Sequence, residues 1–203
     1  MEYTFTQIYN NNLWGGDNGN GKGNGIDYNK NYINFLHEFI TDNNIKSVID
    51  IGCGNFECGD LIYERFDIIY RGYDVYKKYI NELTNKYRTS KFTFTYLDCF
   101  NNKEFLVSAD LCVIKDVLQH WSLLKIYIFL DYLTKANKFK YILIINDGGQ
   151  KKDNTDIEDG KYRQLDSEHY PLKRYKAKKL GYYQTKEVSV INVQEHIENL
   201  GLI

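Results

Sequence analysis

Apolar positions recur along this chain in two rhythms. Between residues 28 and 41 they fall at Tyr32, Ile33, Leu36, Phe39 and Ile40, the three-and-four spacing of an amphipathic helix that covers a sheet. Asp42-Asn43-Asn44 ends it with turn-forming side chains. Residues 45–51 then read as a strand, 57–65 as a helix, 68–74 as a strand, 75–87 as a helix and 91–97 as a strand. A fourth strand is expected at 109–114, a helix at 123–136 with Leu123, Leu124, Tyr127, Leu130 and Leu133 at core spacing, and a fifth strand at 140–145. That fifth strand is apolar without interruption, the pattern of a strand covered on both faces. Residues 186–193 alternate as a final strand. Residues 1–12 are polar and weakly patterned.

The turn after the first strand carries the first chemistry. Asp50-Ile51-Gly52-Cys53-Gly54-Asn55-Phe56-Glu57-Cys58-Gly59 has the spacing Gly-x-Gly-x-x-x-x-Gly, wider than the Gly-x-Gly-x-x-Gly turn that closes on a pyrophosphate. Asp50 beside it would repel a diphosphate and attract an ammonium group. A second acid, Asp74, ends the second strand 24 positions later. A carboxylate there can accept both hydroxyls of a ribose, and it can equally cap the following helix.

The stretch around Gly52 and Gly54 resembles motif I of the class I S-adenosylmethionine-dependent methyltransferases, although a glycine-rich loop of an unrelated α/β protein shares the pattern. The resemblance implies a Rossmann-like α/β fold: a seven-stranded, mostly parallel sheet with helices on both faces and residues 186–193 as an antiparallel edge strand. It also implies S-adenosylmethionine as cofactor, held by Asp50, Gly52, Cys53, Gly54, Asp74, Val75 and Lys115. Asp98-Cys99 resembles motif III, where the carboxylate accepts from the adenine amine and the next amide meets the ring.

The second informative stretch is Lys115-Asp116-Val117-Leu118-Gln119-His120-Trp121, at the end of the fourth strand, where a doubly wound sheet reverses its strand order. A hydroxyl is a poor nucleophile at neutral pH, so methylating it needs a base within hydrogen-bond reach. His120 has a suitable ordinary pKa, and Asp116 at i−4 orients it if the segment is helical. From the residues alone, a histidine that caps the next helix is an equal reading. The stretch resembles the motif IV region of small-molecule and glycan methyltransferases, where that histidine points into the substrate pocket. On this resemblance His120 and Asp116 are the catalytic residues, and Gln119 and Trp121 join the acceptor site.

Ahead of all this, residues 15–25 hold six glycines in eleven positions after Trp14. Composition favours a linker. A Trp-Gly-Gly ahead of the cofactor domain recurs in glycan-associated methyltransferases, and that implies instead a clamp over residues 1–27 with Trp14 at the cofactor, followed by one domain at 28–203. The polar stretch from Asn146 to His169 is long enough to be a functional loop, and Tyr162, Arg163 and His169 are its candidate acceptor contacts. Asp147, Asp156 and Asp159 are the acids available to Mg²⁺, but their spacing matches no metal motif and no metal is expected. Lys173, Arg174, Lys176, Lys178 and Lys179 form a basic run that reads as a solvated face or as a contact to an anionic substrate.

Composition narrows the partners. In 203 residues the net charge is −1, which gives no electrostatic footprint for nucleic acid. No apolar run approaches a membrane span, and no signal peptide opens the chain, so a soluble cytoplasmic protein is expected. Cys53, Cys58, Cys99 and Cys112 form no CxxC pair. The resulting expectation is an O-methyltransferase acting on a sugar or glycan hydroxyl, with another small metabolite, or a domain of a larger glycan-assembly protein, as the alternatives.

Overall fold

A computed structural model of the chain describes residues 1–15, 26–88, 91–199 and 201. Residues 16–25 of the expected clamp, nearly all of its glycine-rich stretch, lie outside the described residues. The chain divides into two compact units, Met1–Cys99 and Phe100–Ile203.

The first unit runs α1 (Glu2–Asn10), α2 (Ile26–Asp42), β1 (Ser47–Ile51), α3 (Gly59–Tyr63), β2 (Ile69–Asp74), α4 (Lys77–Lys86) and β3 (Phe92–Tyr96). β1 pairs parallel to β2 with Val48 opposite Tyr70, and β2 pairs parallel to β3 with Tyr70 opposite Phe92. The second unit runs β4 (Ala109–Lys115), α5 (Leu123–Lys135), β5 (Phe139–Asp147), β6 (Lys178–Tyr183), β7 (Lys186–Asn192) and α6 (Val193–Asn199). β4 and β5 are parallel, and β7 is antiparallel to both β5 and β6. The sheet order is β3-β2-β1-β4-β5-β7-β6, the seven-stranded, mostly parallel arrangement expected. The uninterrupted apolar runs Leu111–Ile114 and Ile142–Ile145 are fully buried, as strands covered on both faces must be.

Three elements depart from the sequence pattern. α1 forms where residues 1–12 showed little periodicity: it buries only Phe5 and Ile8, and is fixed by tertiary contacts, Tyr9 stacking on Tyr76 at 4.7 Å and packing edge-on against Tyr79. β6 begins at the end of the basic run, with Lys178 and Lys179. Its lysines are the charges that protect an edge strand, and they mask the strand signal. Consequently β7 is an interior strand, buried from Lys186 to Ile191, rather than the expected edge.

α3 is also shorter than the expected 57–65. Phe56 adopts a left-handed φ of +57°, which no helix interior accommodates, so the helix begins at Gly59. That conformation turns the Phe56 ring into a buried cluster with Tyr63, Tyr70, Tyr87, Phe92 and Phe94, its centroids 4.8 to 6.3 Å from theirs. The ring lies against Gly59, where an added Cβ would fall 1.9 Å from Cε2. Because the cluster leaves the ring nowhere to go, Gly59→Ala is expected to cost about 1–3 kcal/mol through overpacking, read as a lower denaturant midpoint at unchanged slope.

Candidate active site

In the first unit three acids stand at strand ends around the glycine turn. Gly52 and Cys53 donate their N–H groups to the Tyr73 carbonyl at 2.8 and 3.1 Å, binding the turn to the end of β2. Gly52 and Gly54 take φ values of +74° and +56°, which glycine reaches without steric penalty. Asp74 is 4 % exposed, and its carboxylate accepts from Gly54 N–H at 2.9 Å and Tyr76 N–H at 2.8 Å. Burial raises its pKa, and the N–H groups of Tyr76, Gly54 and Val75 oppose that rise. Two carboxylate oxygens offer about four acceptor positions, so these bonds leave Asp74 capacity for hydroxyl donors.

Asp50 accepts from the Tyr70 hydroxyl at 2.8 Å. Asp98 has one carboxylate oxygen already engaged. Its Oδ2 accepts from Glu2 N–H at 3.2 Å, at the N-terminus of α1, so part of the carboxylate expected to meet adenine holds a helix end. The thiols of Cys53 and Cys99 report the shared field: burial pushes both up, and Asp74 and Asp50 push them further, with Asp98 added at Cys99. Such a site favours a cationic, hydroxyl-bearing ligand over a phosphate. A Cβ placed on Gly54 would meet nothing within 4 Å among the described residues, so the turn presents an open face. Trp14 packs on Phe5 and Tyr9 at 5.8 and 5.5 Å, in the cluster that fixes α1.

The second unit gathers a different set at the ends of β4, β5 and β7. Asp116 takes a left-handed φ of +59°, and the turn Leu118–His120 is 3-10. The helical i−4 relation between Asp116 and His120 therefore does not form. Instead Gln119 stands between them: its amide nitrogen donates to Asp116 Oδ1 at 3.1 Å and lies 3.4 Å from His120 Nε2, while its Oε1 accepts from Asp147 N–H at 2.8 Å. Gln119 is thus a buried strut, not the acceptor contact expected. Lys115, expected at the cofactor, bonds Asp116 Oδ2 through its ammonium at 2.6 Å. Lys186 bonds Asp116 Oδ1 at 2.6 Å and Asp147 Oδ1 at 3.3 Å. Burial pushes the Asp116 carboxyl up, but these two ammonium groups win and hold it at about 2.

His120 is nearly buried, and its Nδ1 lies 2.9 Å from the Lys161 carbonyl. A carbonyl only accepts, so Nδ1 carries the proton and Nε2 carries the lone pair. Burial lowers its pKa from the ordinary 6.5, against the Lys161 carbonyl and Asp116, which raise it. The loop holding it is built by two main-chain bonds, Gly160 N–H to His120 O at 2.8 Å and Arg163 N–H to Gln119 O at 3.1 Å. Tyr162, 53 % exposed, has its ring 6.1 Å from that of His120. Burial and a hydrogen bond to Asp147 push its hydroxyl up to about 12.

The other expected residues lie elsewhere. Trp121 is buried against Phe129 and Phe100, so it is core and not an acceptor contact. His169 belongs to a second network, its Nδ1 donating to Asp166 Oδ1 at 2.7 Å while Asp166 Oδ2 accepts from Gln150 N–H. Arg163 is buried. Asp156 and Asp159 bind the first N–H groups of the α5 segment, Leu123 at 2.8 Å and Ser122 at 2.9 Å, and no cluster of three or more metal-ligating side chains occurs among the described residues. The basic run is largely paired, Arg174 with Asp131, Lys178 with Glu195 and Lys179 with Glu168, which weakens its reading as an anion contact. Among the described residues no helix is long and apolar enough to cross a membrane. Lys186 was missed in the sequence. The available signal was a lysine opening a strand that alternates apolar and polar residues.

No family model matches the chain, and no curated protein does. Its fold is nevertheless that of solved methyltransferases. The chain is similar to the methyltransferase domain of bacterial CtHen1-CN at 14 % identity and a TM-score of 0.62, covering 81 % of this chain and 98 % of that one. It is similar to an O-methyltransferase family protein from Burkholderia thailandensis at 10 % identity and a TM-score of 0.62, covering 81 % of this chain and 56 % of that one. A third, PigF with SAH, matches at 12 % identity and a TM-score of 0.59, over 77 % of this chain and 60 % of that one. The chain thus spans little more than half the length of the second and third.

Because the folded His120 resists protonation, the unfolded chain binds more protons as pH falls below 6.5, and stability falls with it. The drop in denaturant midpoint from pH 7 to pH 5 is expected to be smaller in His120→Asn than in the parent. An equal drop would show that this imidazole is not held neutral by the fold.

Proposed function

We propose that the chain is an S-adenosylmethionine-dependent O-methyltransferase acting on a hydroxyl of a sugar or glycan, with His120 as general base. The observation that carries the cofactor assignment is Asp74, a buried carboxylate at the tip of β2 with acceptor capacity left over and fastened to the open glycine turn. The named activities of the solved proteins with the same fold support it. The cofactor, when bound, supplies an electrophilic sulfonium methyl group.

The protein's part is to hold and to deprotonate. Asp74 accepts from ribose hydroxyls, and the acids at the ends of β1 and β2 favour the positive charge. His120 offers Nε2 to the acceptor hydroxyl, its tautomer fixed from behind by the Lys161 carbonyl. The Gln119 amide meets Nε2 at 3.4 Å, long for a hydrogen bond, so a hydroxyl at ordinary distance displaces it. Asp116 acts through Gln119, and Lys186 holds both Asp116 and Asp147. The exposed Tyr162 ring beside His120 provides an apolar face of the kind on which sugars lie. Transfer to another small metabolite is the second reading, supported by likeness in fold to a mitomycin 7-O-methyltransferase.

Calorimetric titration with S-adenosylhomocysteine is expected to show binding that Asp74→Ala weakens by about 1–3 kcal/mol. No binding by the parent would remove the cofactor assignment. His120→Ala is expected to keep that affinity and lose turnover about 10²–10⁴-fold on the true acceptor, found by screening sugars first with a coupled assay for released S-adenosylhomocysteine. Turnover on amines or other metabolites alone would replace the sugar with that class.

A further inference from the structure

Arg163 is 5 % exposed, and none of its three guanidinium nitrogens has a hydrogen-bond partner. Native proteins rarely leave a buried charge in this state, because withdrawing an ion from water without a partner costs several kcal/mol. The group does not escape by losing its proton: burial lowers its pKa to about 10, still well above neutrality. The acids that draw on it electrostatically are Asp156 and Asp159, and both are committed elsewhere. Asp159 accepts from Ser122 N–H and pairs with Lys125, and Asp156 accepts from the N–H groups of Leu123 and Ile157. Neither makes an ion pair with Arg163 among the described residues.

The main chain of Arg163 adjoins the loop that carries the proposed base. Arg163 N–H bonds the carbonyl of Gln119, and the carbonyl two residues before it, at Lys161, fixes the His120 tautomer. A guanidinium offers a planar fork of donors that matches a carboxylate or phosphate oxygen pair. We infer that Arg163 anchors an anionic group, a carboxylate or a phosphate, carried by the molecule that His120 deprotonates; the inference rests on the acceptor site proposed above. The guanidinium is covered, so entry of the anion requires the chain around it to move. The acceptor class is thereby narrowed to an acidic or phosphorylated hydroxyl compound, such as a uronate or a sugar phosphate.

The test is the thermal midpoint of the full chain, titrated with inorganic phosphate and separately with acetate at constant ionic strength. The parent is expected to show a saturable rise with one of them, which identifies the source of the charge, and Arg163→Met is expected to show none. Arg163→Lys keeps the charge without the fork and is expected to bind the same anion roughly tenfold more weakly. Without anion, Arg163→Met should melt above the parent, since a buried unpaired charge has been removed. A rise that survives in Arg163→Met, or no rise with either anion in the parent, overturns the inference. S-adenosylhomocysteine titration of the parent runs alongside. Loss of that binding with the anion effect intact would remove the methyltransferase reading and leave the anion site standing.

Discussion

A carboxylate withdrawn from water stays charged only if donors or cations meet it, and the two units of this chain meet that demand differently. In the first unit the donors at Asp74 are main-chain N–H groups from Gly54 and Tyr76, which bring partial charge only. The strand ends of β1 and β2 therefore keep a negative field, felt by the thiols of Cys53 and Cys99, while Asp98 after β3 meets the N-terminal ammonium of Met1 at 3.5 Å. In the second unit the donors at Asp116 are whole ammonium groups, Lys115 and Lys186. The field there is cancelled, and what remains is rigidity: a network that fixes Gln119 and, through it and Lys161, the imidazole of His120.

The same demand explains why the glycines matter. A main-chain donor reaches Asp74 only if the turn after β1 can bend through left-handed φ values, at Gly52 and Gly54. Phe56 adopts such a φ with a large side chain, and the aromatic cluster it completes offsets the strain. Arg163 is the exception to the rule in the second unit, a buried cation whose guanidinium has no hydrogen-bond partner among the described residues.

Much of this was legible in the sequence. The apolar patterns located the strands corresponding to β1–β5 and β7 because a strand buried on one face alternates and one buried on both is an unbroken apolar run. The acids Asp50, Asp74 and Asp98 were visible as strand-end residues, and His120 as a titratable group after β4. What escaped were elements whose stability is not their own. α1 buries only two side chains and depends on Tyr76 and Tyr79; β6 carries edge lysines; Asp116 breaks a helical spacing with one left-handed residue.

The sequence by itself determined the fold class, the glycine turn and the identity of the carboxylates, because these follow from periodicity and from local backbone freedom. Only the tertiary structure decided which groups each of them meets. Lys186 reaches Asp116 from 70 residues away, Lys161 presents a carbonyl to His120 from 41 residues away, and the α1 terminus takes an oxygen of Asp98 from 96 residues away. Hydrogen bonds and ion pairs of that span depend on chain closure and leave no periodic trace in the residues that make them.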